Sequence, residues 1–87
     1  MKFYKAKNKL LYSIQKQIAF NKQNAVVCGE YNVVFFNNGI EHNLRNAAYV
    51  NFIDNFKEYR VDGFLIGTNA TLNKRKFRSF VATRMFL

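Results

Sequence analysis

The sequence predicts an α+β fold: an N-terminal amphipathic helix packed on a small antiparallel β-meander, followed by a basic C-terminal helix or strand. Three observations predict it. From residue 2 to about 21, Phe3, Leu10, Leu11, Ile14 and Ile18 fall on one arc at about 100° per residue, with Lys2, Lys5, Lys9 and Lys16 opposite. Residues 31–67 alternate short apolar and aromatic runs with Asn-Gly and Asp-Gly turn pairs. A chain of 87 residues holds one domain with a small core, divided into a basic helix (1–24), a meander (25–67) and a basic tail (68–87).

Each element has a local reason. The first helix contains no Gly or Pro, and residues 21–24 supply its stop. Its apolar arc is expected to pack on the sheet, because so small a chain needs that surface for its core. Residues 25–28 form a first strand ended by Gly29, and Cys28 within it reads as a buried structural thiol. Residues 31–36 form the next strand, and Asn38-Gly39 turns it back through Ile40 and His42. A polar patch at 43–46 precedes a strand at 47–52. Asp54-Asn55 breaks that run, 57–61 resumes it, and Asp62-Gly63 turns it into 64–66. Turns so closely spaced predict antiparallel neighbours. Thr68, Asn69 or Thr71 is expected to cap a helix through residues 74–76, while the segment beyond carries enough β-formers to end as a strand.

The hairpin stretch resembles the short MORN-like repeats of phage and large-virus proteins. Phe35-Phe36, Asn38-Gly39, Ile40, His42, Ala48, Lys57-Glu58-Tyr59 and Asp62-Gly63 carry the likeness, over about one unit. Asn43 stands where that repeat has Arg, Ala47 where it has Pro, and no second His follows the second turn. The resemblance implies a meander, a viral origin and a structural role for His42, bonded across the hairpin. It implies no single activity. An AT-rich composition, heavy in Asn, Lys and Phe and free of Pro and Trp, fits a phage or similar element.

Charge is the functional signal. Fourteen Lys and Arg face five acids, a net charge of +9. All five acids lie in the middle of the chain, between Glu30 and Asp62, so both ends are acid-free. Such segregation creates a directional field that favours a polyanion. The candidate phosphate contacts are Lys2, Lys5, Lys9, Lys16, Lys74, Arg75, Lys76, Arg78 and Arg84, with Phe77 and Phe80 interleaved as aromatics on which an unpaired base could stack. RNA is preferred to DNA, although neither a helix-turn-helix, zinc-finger or homeodomain pattern nor an RRM-type aromatic motif is present. The alternative is a viral counter-defence inhibitor that docks these cations directly on a host nuclease or an RNA-bound toxin.

Other chemistry is expected to be absent. One Cys and one His cannot build a tetrahedral metal site or a nucleophilic triad, so no catalytic residue, metal or cofactor is assigned. Glu41 adjoins His42, but neighbouring strand residues point to opposite faces. The Asn69-Ala70-Thr71 sequon is discounted, because no signal peptide is visible and a reducing cytoplasm suits the single Cys. No run approaches the roughly 20 apolar residues of a membrane span. A membrane-surface use of the first helix competes with its packing, and the aromatic content leaves room for a homodimer.

Overall fold

The computed structural model describes residues 2–20 and 22–85. Its first element corrects the sequence reading. Lys2–Lys5 is a strand, β1, and not the first turn of a helix. The helix begins later, at α1 (Lys9–Ala19), because Asn8 stops it from extending backwards. Asn8 is extended (φ −153°, ψ 176°), and its Oδ1 accepts a hydrogen bond from the Leu11 amide at 2.9 Å. Lys-Phe-Tyr-Lys suits a helical arc and a short strand equally well. Pairing with β2 (Ala25–Cys28) decides between them, since the two strands run parallel in register from Lys2↔Ala25 to Lys5↔Cys28. The sheet is therefore mixed, and the N-terminal helix is the crossover of a β-α-β unit. Of the expected helix stop, Asn21 lies outside the described residues.

The rest of the sheet is antiparallel, as the turn signals predict. Strands β3 (Asn32–Asn37), β4 (Ile40–Glu41), β5 (Tyr49–Asn51), β6 (Phe56–Val61) and β7 (Phe64–Thr68) follow in the chain. The order across the sheet is β1-β2-β3-β5-β6-β7, with β4 paired to β3 beside that path. Asn38-Gly39 has φ of 52° and 80°, and Asp62-Gly63 has φ of 50° and 82°. Both central residues are left-handed, as the tight hairpin turn that matches strand twist requires. The two hairpins are tied together. The Asp62 amide donates to His42 Nδ1 at 3.0 Å, and the Gly63 amide donates to the Glu41 carbonyl at 2.9 Å. His42 thus braces the second turn from the first hairpin's return strand.

The basic tail is helical from Lys74 to the last described residue, as α2 (Lys74–Met85), with no final strand. Its N-cap is Asn73, whose Oδ1 accepts from the Lys76 amide at 2.8 Å. None of the expected caps serves. Asn69 instead ties β6 to the preceding turn, accepting from the Lys57 amide at 3.1 Å and donating to the Asn55 carbonyl at 2.9 Å.

The register puts the two helices on opposite faces of the sheet. Ala25, Val27, Val34 and Phe36 share one face, and they form a buried cluster with Ala19 of α1. Tyr59 and Val61 point to the other face, where they bury Phe77 and Val81 of α2. α1 covers the β1–β3 end and α2 the β5–β7 end. Strand β6 shows the consequence: Tyr59 and Val61 are buried beneath α2, while Glu58 and Arg60 pair with each other at 3.1 Å on the opposite face, beyond the end that α1 covers.

The apolar arc of α1 does not pack on the sheet, contrary to expectation. Leu10, Leu11, Ile14 and Ile18 remain 71%, 37%, 44% and 48% exposed, and Phe3 is 66% exposed. The side that meets the sheet carries Tyr12 and Ala19. Close approach explains the choice. The small Ala19 fits directly on Ala25 and Val27, and Tyr12 lies so near Gly29 that a Cβ there would meet its ring at 2.9 Å. Branched side chains in those places would hold the helix off the strand. Cys28, at the end of β2, is half-buried rather than fully enclosed.

Candidate nucleic-acid interface

The densest charge lies on the first turn of α2. Lys74, Arg75 and Lys76 are consecutive and exposed, with no acid in that turn. Cations there oppose the positive end of the helix dipole, which costs about 0.3–1 kcal/mol each at low salt. The same arrangement adds the dipole's field to theirs and makes the helix end attractive to an anion.

At about 100° per residue, Lys74, Arg75 and Arg78 share one flank of α2, whereas Lys76 falls on the other. Arg78 is anchored: its Nε donates to the Arg45 carbonyl at 2.9 Å. Arg45 thereby joins the cluster, and its side chain is exposed. The sequence reading missed it because it stands alone, 29 residues before the basic run. Asn43 shapes the loop that presents it. Asn43 Oδ1 accepts from the Arg45 amide at 2.9 Å, and Nδ2 donates to the Ala47 carbonyl at 3.2 Å.

An open groove of about 360 Å³ lies beside Arg45, lined by Asn24, Phe35, His42, Asn43 and Leu44 among others. Of the two aromatics that line it, Phe36 is buried and Phe35 is half-buried. Phe77 cannot play the stacking part first considered for it. It is fully buried, with its ring centroid 4.9 Å from that of Tyr59. Phe80 is half-buried, and the Arg84 guanidinium sits 5.9 Å over its ring, at the far end of α2 from the cluster.

The remaining candidates lie apart. Lys9 and Lys16 belong to α1, on the other face and at the other end of the sheet, with the Lys16 ammonium 5.8 Å over the Phe36 ring. Lys5 ends the edge strand β1 and is exposed. Lys2 begins that strand, and its side chain lies outside the described part of the structure. The two acid-free ends of the chain therefore form two basic surfaces rather than one.

Among the described residues, no group of three or more His, Cys, Asp or Glu is placed to hold a metal ion. No described helix is long and apolar enough to cross a membrane. No protein-family model, curated protein or solved structure matches this chain.

Proposed function

We propose that this protein binds RNA through its phosphates, without sequence preference, on the surface formed by Arg45, Lys74, Arg75 and Arg78. The observation that carries this reading is the exposed pair Lys74 and Arg75 on the first turn of α2, with Arg78 one turn further along the same flank. The pair works against the helix dipole and finds no acid within its own turn, so the fold does not compensate its charge and an anionic ligand can. Arg45 and Arg78 extend the cluster off the helix, and Phe35 offers a ring beside it for an unpaired base.

Binding measured against salt tests the proposal. Four phosphate contacts on a single strand give a slope of about −3 in log Kobs against log salt. Arg75→Glu with Arg78→Glu should abolish binding and keep the wild-type circular dichroism, since both side chains are exposed and only the Arg78–Arg45 hydrogen bond, worth about 1 kcal/mol, is lost. Lys9→Glu with Lys16→Glu should change affinity far less, because those lysines belong to the other surface. Equal losses from both pairs would show that the two surfaces act together. No RNA binding by the wild type, with retention of an acidic protein after nuclease treatment, would leave the inhibitor reading in its place.

A further inference from the structure

The exposed apolar side of α1 calls for a partner. Leu10, Leu11, Ile14 and Ile18 are spaced as successive turns of one stripe, facing away from the sheet. Contiguous apolar surface of this kind marks an interaction site. The stripe's borders identify the occupant. On the helix surface it is flanked by Ser13 and Gln17 on one side and Gln15 on the other, all uncharged. Lys9 and Lys16 point to the opposite side of the helix, about 155–175° round from the stripe. An acidic protein or an anionic membrane would be matched by cations along the stripe, and the residues directly beside it within α1 are uncharged, Lys7 and Lys22 lying beyond the two ends of the helix. A second copy packed on the middle of the helix meets no like charge from the residues beside the stripe.

We propose that α1 is the self-association surface of this protein, two copies packing their Leu10, Leu11, Ile14 and Ile18 stripes together about a two-fold axis. Symmetric dimers are the commonest assemblies, and a two-fold interface uses the same patch on both subunits. A stable interface buries roughly 800 Å² per partner, and the four side chains supply on the order of half of that as an apolar centre. Ser13, Gln15 and Gln17 provide the polar rim. The free edge of β1 is a poorer contact. It is only four residues long with a lysine at each end, a pattern that discourages edge pairing. The dimer leaves the α2 cations free and doubles them.

Sedimentation of the full chain, nuclease-treated and in high salt, tests this. The wild type should run as a dimer of the 10.3 kDa chain. Ile14→Glu and, independently, Leu10→Glu should weaken self-association at least ~30-fold, as loss of a central contact does. Both should keep the wild-type circular dichroism, because both positions are solvent-facing. Phe64→Glu, an exposed apolar position on β7, should leave the dimer unchanged. A wild type that stays monomeric at every concentration overturns the proposal. So does a dimer that survives both stripe variants, or a monomer that binds anionic vesicles through Ile14.

Discussion

His42 illustrates how a lone polar residue is used at the scale of one side chain. Its Nδ1 accepts from the Asp62 amide, so a neutral ring carries its proton on Nε2. The Asp62 carboxylate lies 3.4 Å from the same nitrogen, a contact secondary to the amide bond. His42→Ala removes the acceptor from a turn that water can reach. The expected loss is about 1 kcal/mol, measured by urea unfolding, with RNA binding unchanged. A larger loss of binding than of stability would place His42 in the RNA groove instead. Tyr59 responds to pH rather than to ligand. Burial raises its pKa above the ordinary 10.0, so the folded state holds the phenolic proton more tightly than the unfolded chain does. The associated stability is complete below pH 10 and is lost as pH rises through the raised value. Tyr59→Phe should flatten the fall in stability above pH 10. Tyr12 keeps a residual slope, because burial also raises its pKa, against an opposing hydrogen bond with Asn32. An alkaline limb as steep as the wild type's would show that Tyr59 is not its source.

The individual elements separate binding from folding. The first turn of α2 is electrostatically unfavourable as a helix start, and Asn73 alone caps it by side chain among the described residues. Lys74→Glu with Arg75→Glu should therefore stabilise the fold by about 1 kcal/mol, since carboxylates there favour the dipole. In a domain of this size that corresponds to a melting temperature higher by about 5 °C. The same variant should lose RNA affinity. A variant that both binds and melts like the wild type would remove the argument that the cations are kept for a ligand. The first helix shows the complementary case. Its buried side meets the sheet through the small Ala19 and the flat ring of Tyr12, and its bulky apolar side stays exposed.

At the scale of the whole molecule, net charge sets two opposed responses to salt. A charge of +9 repels itself in the compact state, and screening relieves that repulsion. Raising salt should therefore raise the melting temperature while it dissociates RNA. Calorimetry and binding on one preparation would check both signs, and a melting temperature that falls with salt would contradict the self-repulsion argument. The flat shape, 39 × 28 × 17 Å, follows from a single sheet with one helix on each face, placed over opposite ends. That arrangement separates the two basic ends of the chain.

The sequence alone determined what is local. Asn38-Gly39 and Asp62-Gly63 turn the chain because those residues accept positive φ, whatever surrounds them. The strands between them follow from the alternation they frame, and the charge segregation is a property of the residues in order. Tertiary structure decided what depends on neighbours. Periodicity identified the apolar stripe of α1 but not its direction, because a helix seats by close approach, and Ala19 and Gly29 allow that on the other side. The four residues of β1 were too few to distinguish strand from helix until β2 paired with them. Arg45 joined the cations of α2 only when Arg78 reached back to its carbonyl, across 33 residues that no spacing rule connects.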